Sequence, residues 1–279
     1  MRKFADALCC CHYPHQNHYR LLSKNHINRI LFLETIRIEF LWCVKEMMNQ
    51  TQVMKPSSEV RAEIYAPIHK AHRYVLFKIA SEAGKADYKD KQNISSILSH
   101  LTDLTNNIKL HAAWEEKAVH PLLAKKIPGA KEKIEAEHKT IHANLELLMS
   151  YLGSVAELPS NDQNLGKLLQ EFYLAFNRFL PMYLNHIDYE EEQVEPILWH
   201  LSTDQELNST LASLGAIATP EQIRQNMELI ISAVSLNDLS QIILAAKAAS
   251  PQVLQFWLSA AQQNLSPEDY AKLKAQIET

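Results

Sequence analysis

Residues 91–126 have the sequence KQNISSILSHLTDLTNNIKLHAAWEEKAVHPLLAKK and are followed by Pro128 and Gly129. Apolar side chains recur in this stretch every three or four positions, which places them on one face of an α-helix. They are Ile94, Ile97, Leu98, Leu101, Leu104 and Ile108. We therefore predict one long amphipathic helix over about 91–126, which ends at the Pro-Gly pair.

Three further stretches show the same helical period. They cover about 66–83, 130–152 and 164–200. Pro67 suits the first turn of the first helix and Gly84 suits its end. Gly153 is predicted to end the second of these helices, and Pro181 is predicted to kink the third. Four amphipathic helices joined by short connections predict an all-α protein built on an up-down four-helix bundle.

We divide the chain into three segments. They are an N-terminal extension (1–55), the four-helix bundle (56–202) and a C-terminal helical segment (203–279). The extension has no clear helical stripe before Ile30, and its sequence leaves open whether it packs on the bundle. In the C-terminal segment a Ser or Thr precedes Pro at Thr219, Ser250 and Ser266, which predicts the starts of additional short helices.

The composition excludes several classes of protein. Only five residues of 279 are Gly, which disfavours a sheet protein with many tight turns. Apolar residues make up 47% and charged residues 22%, so the chain is not disordered. A net charge of −4 offers no basic surface for nucleic acid, and the apolar stretch 30–44 holds three charges, too many for a membrane span. The four Cys lie within the first 43 residues without a Cys-x-x-Cys pair, so we expect a cytoplasmic protein.

The thirteen His residues are unusually many and are arranged in a pattern. In three predicted helices a His is followed four residues later by a second metal donor, and the remaining helix has two His close together. The donors are His111 and Glu115, His138 and His142, His186 and Glu190, and finally His69 with His72. Residues four apart lie on nearly the same side of a helix, so each pair presents two donors to one point.

Five imidazoles and two carboxylates are therefore expected to meet inside the bundle. Buried His and Glu side chains are costly unless they are paired or bind a metal. Nitrogen and carboxylate donors without a thiolate suit iron or manganese. Seven donors are too many for one ion, whereas two octahedral ions that share two carboxylates and an oxo or hydroxo bridge accommodate them. One coordination position then stays open for a small molecule.

Four stretches carry these donors, and together they resemble the hemerythrin-like, or HHE cation-binding, family. They are IHKAHR at 68–73, LHAAWEEKAVHPLL at 110–123, AEHKTIH at 136–142 and NHIDYEEEQVEPILW at 185–199. The resemblance covers about 60–200 and implies a four-helix bundle with a non-heme di-iron centre. The ferritin-like alternative needs two Glu-x-x-His pairs, and only Glu135 and His138 form one.

The resemblance also implies a ligand set. It consists of His69, His111, Glu115, His138, His142, His186 and Glu190, with Glu115 and Glu190 bridging two iron ions. Two of these positions have a rival. On the first helix His72 is also available, and we favour His69 because Arg73 follows it by four residues, as in similar family members. On the fourth helix, oxygen-carrying members have the carboxylate five residues after the His, at Glu191, whereas the bacterial pattern that we favour places it at Glu190.

Three functions from different classes remain open. The first is a protein that binds a small diatomic ligand, dioxygen or nitric oxide, at two non-heme iron ions for sensing, storage or delivery, with manganese as the alternative metal. The second is a di-iron oxidoreductase that acts on peroxide or nitric oxide and needs a proton donor near the open position. The third is a metal-dependent interaction module. The sequence identifies neither a protein partner nor an oligomeric state.

Overall fold

The computed structural model describes residues 61–249 and 251–278, and the predicted N-terminal extension lies outside them. In this part of the chain all regular structure is helical, and no strand occurs. The α-helices are α1 (Ala66–Ala83), α2 (Lys91–Trp114), α3 (His120–Lys126), α4 (Glu132–Glu157), α5 (Leu165–Tyr189), α6 (Glu195–Leu201), α7 (Asp204–Ala212), α8 (Pro220–Ala233), α9 (Leu236–Ala249), α10 (Pro251–Asn264) and α11 (Pro267–Glu278). The prediction of an all-α fold is confirmed.

The bundle is formed by α1, by α2 continued into α3, by α4, and by α5 continued into α6. Its core consists of the apolar side chains that repeat every three or four positions, as predicted. On α5, the rings of Phe172, Phe176, Phe179 and Tyr183 follow one another inside this core, with centroids between 5.8 and 6.3 Å apart. Pro181 lies within α5, which runs on to Tyr189 as a single α-helix.

Two π-helical turns interrupt the second and fourth predicted helices at corresponding places. Glu115–Val119 joins α2 to α3, and Glu190–Val194 joins α5 to α6. In each case the N–H of the residue after the turn donates to the carbonyl of the Glu that begins it. The next residue is Pro121 or Pro196, which has no N–H to continue the α-helical bonding. The sequence analysis missed both turns because it treated these stretches as continuous helices.

The third bundle helix is longer than predicted. Gly153 was expected to end it, but Gly153 lies inside α4, which extends to Glu157. A Cβ at Gly153 would meet no heavy atom within 4 Å, and this glycine has ordinary helical geometry. The helix ends at Leu158, which is extended (ψ 147°) because it precedes Pro159.

Two C-terminal helices, α8 and α11, begin at the predicted Thr219-Pro220 and Ser266-Pro267 pairs, and α10 begins at Pro251, whereas Ser250 lies outside the described residues. The Thr219 hydroxyl accepts from the backbone N–H of Gln222, and the Ser266 hydroxyl accepts from that of Asp269. Both bonds satisfy N–H groups that would otherwise lack a partner in the first helical turn. The apolar faces of α8 to α11 form a second core, to which Ile68 of α1 contributes. These helices therefore cover a face of α1 that points away from the bundle interior.

Candidate metal centre

The predicted ligands lie where the bundle core gives way to a third apolar cluster. This cluster includes Tyr65, Trp114, Val119, Val194 and Leu198, which surround the two π-helical turns. Among the described residues, two groups of three or more side chains bring metal-binding atoms within 4.8 Å of one another. They are His69, His111 and Glu190, and His138, His186 and Glu190. Every member of both groups is buried.

The first group is formed by His69 of α1 and His111 of α2. Their Nε2 atoms lie 3.0 Å apart, so both imidazoles point to the same place. His69 Nε2 lies 3.4 Å from Oε2 of Glu190, and His111 Nε2 lies 3.4 Å from Oε1 of Glu115. Two nitrogens and one oxygen from each carboxylate therefore converge here, and we call this the two-histidine half of the centre.

The second group is formed by His138 of α4 and His186 of α5. Nε2 of His138 lies 3.2 Å from Oε2 of Glu115 and 3.8 Å from Oε1 of Glu190. Nε2 of His186 lies 3.3 Å from the same Oε1 atom of Glu190. Each carboxylate thus directs one oxygen to each half, which is the arrangement of two carboxylates that bridge a pair of metal ions.

The chemistry of the donors fits a pair of cations. Glu115 and Glu190 are completely buried, and none of their four oxygens has a hydrogen-bond partner among the described residues. Burial, and then the charge of Glu115, raises the pKa of Glu190 to about 7. Burial raises the pKa of Glu115 as well. Two adjacent buried carboxylates need positive charge, and imidazole with carboxylate is a donor set that iron and manganese accept.

The same buried surroundings shift the pKa values of the imidazoles. Burial lowers the pKa of His69 and of His111 well below the ordinary value, which keeps both rings neutral as metal ligation requires. Burial by itself would also lower the pKa of His138, but the neighbouring carboxylates of Glu115 and Glu190 raise it to about 10. The carboxylate pair therefore attracts a cation strongly enough to hold a proton on His138.

Carboxylates on the far side of the rings orient three of the four imidazoles. Nδ1 of His69 lies 2.9 Å from Glu191, Nδ1 of His138 lies 3.4 Å from Glu116, and Nδ1 of His186 lies 3.0 Å from Glu137. An N–H donated to a carboxylate fixes the ring and makes the opposite nitrogen a better donor. Since Nδ1 is engaged in this way, Nε2 is the atom that faces the centre.

The hydrogen bonds of His72 and Glu191 distinguish these residues from the predicted ligands His69 and Glu190. Nδ1 of His72 accepts from the Tyr183 hydroxyl at 2.7 Å and its Nε2 donates to Asn107 at 2.6 Å, so both of its nitrogens are engaged away from the centre. Glu191 is partly exposed and accepts two hydrogen bonds from Arg73. Glu191 lies beside Nδ1 of His69 and also bonds to Arg73. The Arg four residues after His69 therefore holds the carboxylate that contacts this His.

Glu115 and His142 belong to neither group, but Glu115 lies within 3.4 Å of His111 and 3.2 Å of His138, whereas His142 lies beside the centre. Its ring is stacked beside that of His138 with a centroid distance of 6.5 Å, and its buried Nε2 has no hydrogen-bond partner in the described part of the chain. His120 lies on the other side, 5.5 Å from the His138 ring, and its Nδ1 lies 3.6 Å from an oxygen of Glu135. Six of the seven predicted residues are thus brought together, and the seventh lies next to them.

The comparisons with known proteins agree with this geometry. The family model of the hemerythrin HHE cation binding domain matches residues 63–198. Residues 63–198 are a hemerythrin HHE cation-binding domain. All seven predicted ligands lie within the matched hemerythrin range. Neither the search of curated proteins nor the search of solved structures gave a significant match. None of the described helices combines the length and apolar character needed to cross a membrane.

The hemerythrin domain contains a site residue that the sequence analysis missed. The ring of Tyr65 stacks on His69, with centroids 5.3 Å apart, and meets the edge of His111 at 6.3 Å. Burial, followed by the charges of Glu115 and Glu190, raises the pKa of Tyr65 well above the ordinary value. The available signal was spacing, because Tyr65 precedes His69 by four residues and therefore shares its helix side.

The carboxylates that orient the rings were also missed, although the sequence contains a signal for two of them. The pattern His-x-x-x-Glu-Glu-x-x-Val-x-Pro begins at His111 and again at His186. In both copies the first Glu faces the centre, and the second reaches Nδ1 of a His on another helix. The repeat therefore distinguishes the two roles within each Glu-Glu pair.

Proposed function

We propose that the hemerythrin domain holds a non-heme di-iron centre and binds a small diatomic ligand, dioxygen or nitric oxide, for sensing, storage or delivery. The ligands in this proposal are His69, His111, His138, His142 and His186, with Glu115 and Glu190 bridging. The observation that carries the proposal is the placement of the two buried carboxylates, each with one oxygen toward either half. Manganese is the alternative metal, because it accepts the same donors.

The count of donors in each half supports an open position on one ion. The two-histidine half offers His69 and His111, whereas the other half offers His138 and His186 and has His142 beside it. With two shared carboxylates and one bridging oxygen, His138, His142 and His186 would complete the coordination of an octahedral ion in the second half. An ion held by His69 and His111 would lack one ligand, so we place the diatomic molecule there.

The residues of this chain have defined tasks in the proposal. When bound, ferrous iron supplies reversible coordination of dioxygen or nitric oxide. Glu191 and Glu116 hold the rings of His69 and His138 with Nε2 inward. Trp114 and Val119 belong to the apolar cluster beside the centre, which limits access of water.

The proposal is tested on the full-length protein loaded with iron. Anaerobic reduction followed by addition of dioxygen or nitric oxide should change the absorption spectrum, and removal of the gas should restore the reduced spectrum. Repeated cycles without loss of signal support a binding protein. A spectrum that never responds to either gas contradicts the proposal.

One observation favours an oxidoreductase as the second candidate. Nδ1 of His69 contacts Glu191, which continues to the partly exposed Arg73 and Asp188. Because the Glu191 side chain is itself partly exposed, its contact with His69 connects the two-histidine half to the surface and offers a path for protons. Multiple turnovers of hydrogen peroxide or nitric oxide per di-iron centre, in place of reversible binding, would identify this function.

A further inference from the structure

Tyr65 carries one of the buried hydroxyl groups with which no described residue forms a hydrogen bond. The residue is completely buried, and the hydroxyl oxygen has no hydrogen-bond partner among the described residues. Buried hydroxyl groups are almost always hydrogen-bonded, since leaving one unpaired destabilises the fold. A buried phenol without a partner in the described part of the chain is therefore available to a molecule that binds beside it.

The position of Tyr65 identifies the place where such a molecule would bind. Its ring is stacked on His69 and lies edge to face with His111. These are the two imidazoles of the two-histidine half, where the donor count leaves one coordination position open. Among the described tyrosines, Tyr65 is the one whose ring contacts both of these imidazoles. An ordinary phenol is protonated at neutral pH, so the group enters as a hydrogen-bond donor.

We propose that the Tyr65 hydroxyl donates a hydrogen bond to the exogenous ligand bound in the two-histidine half. The inference rests on the proposed function and deepens it by naming the class of ligand that the site selects. The favoured ligands are small molecules with an electron-rich terminal atom that accepts a hydrogen bond, such as azide or dioxygen. Ligands whose terminal atom accepts weakly gain little from this contact.

Tyr183 provides a matched control. It is also buried, and its ring lies 6.0 Å from that of His186. Its hydroxyl, however, donates to Nδ1 of His72 at 2.7 Å, so it has no hydrogen left to donate. Tyr65→Phe and Tyr183→Phe thus each delete one buried hydroxyl near the centre, and only the first deletes a hydroxyl with an unused hydrogen.

The experiment is an azide titration of the oxidised, full-length protein with two irons per chain, followed by absorption. We expect Tyr65→Phe to bind azide about 10-fold more weakly than the wild type, the effect of losing one hydrogen bond to a charged group. Tyr183→Phe should stay within about twofold of the wild type. Iron content should be the same in all three proteins, because neither hydroxyl is a predicted ligand.

A second measurement covers the case in which Tyr65→Phe fails to fold or to load iron. In the wild type, the infrared stretch of bound azide should shift when H₂O is replaced by D₂O, because the donated hydrogen exchanges. The same shift should persist in Tyr183→Phe. Absence of a shift in the wild type overturns the proposal.

Two further outcomes would refute the hydrogen bond. Equal azide affinity in Tyr65→Phe and the wild type shows that the hydroxyl does not contact the ligand. A visible phenolate-to-iron absorption band in the azide-free wild type, lost in Tyr65→Phe, shows that the oxygen coordinates the metal itself. Both of these outcomes are compatible with a di-iron centre. The proposed function is refuted together with this inference if the wild type holds two irons but binds neither azide nor a diatomic gas.

Discussion

Replacing Glu190 by Gln should make the metal-free protein more stable and at the same time abolish its metal site. The carboxylate is completely buried beside Glu115, and its pKa is raised from 4.5 to about 7. This rise in pKa means that the charged carboxylate lowers the free energy of unfolding by about 3 kcal/mol. Glutamine has nearly the same shape and carries no charge, so the variant recovers this free energy.

The sign of the pH dependence follows from the direction of the shift. Between pH 4.5 and about 7 the folded protein retains on Glu190 a proton that the unfolded chain has released. The free energy of unfolding of the wild type therefore falls as the pH rises through this window, and the loss is complete above it. Glu190→Gln should be more stable than the wild type by about 3 kcal/mol at pH 8, and by less than about 1 kcal/mol at pH 5.

The assay is urea unfolding of chelator-treated protein at both pH values, together with the iron content after reconstitution. Glu191→Gln is the matched control, because Glu191 bonds to Arg73 and to Nδ1 of His69 from outside the centre. It should keep both metals with about 10-fold weaker affinity and show no gain in metal-free stability. Equal behaviour of the two variants, or a Glu190→Gln variant that retains two irons, would refute the assignment of Glu190 to the interior of the centre.

Three further predictions address the fold and the ligand set. Gly153→Ala should raise the free energy of unfolding by roughly 0.5–1 kcal/mol, because alanine favours a helix interior and its Cβ meets no atom within 4 Å; a loss of stability in urea would place this glycine outside α4. His111→Ala and His186→Ala should each lower bound iron well below two per chain by elemental analysis, and retention of two irons in both would remove these residues from the ligand set. A chain that begins at Met54 should fold and bind the same metal, because residues 61–278 contain all seven proposed ligands; insolubility or loss of metal would show that the preceding residues are required.

The helices were predictable wherever local signals determined them. The predicted 66–83 coincides with α1, since Pro67 lies in its first turn and Gly84 directly follows its last residue. The end of α4 was wrong because glycine only weakens a helix, whereas Pro159 prevents its continuation. The helical period correctly placed His111 with Glu115 and His186 with Glu190, because residues four apart face one side of a helix. The same spacing places His142 beside His138 but outside both groups, since the packing of α4 decides which of the two faces the centre.

The remaining features depend on contacts between helices. The two π-helical turns shift the register after Glu115 and Glu190, and a search for one uniform helical period does not detect such a shift. The contact between Glu137 and His186 joins α4 to α5, so no spacing within one helix reveals it. Tyr65 was not predicted because only ligating residue types were considered, although its place four residues before His69 puts it on the same side of the helix.

Iron-edge X-ray absorption of the reconstituted full-length protein tests whether Glu115 and Glu190 hold two metal ions together. Combined with elemental analysis, the measurement should give two irons per chain, ligated by nitrogen and oxygen, with iron–iron scattering at a distance on the order of 3–4 Å. One iron per chain, or two irons without an iron–iron contribution, would contradict a centre in which each carboxylate spans both halves.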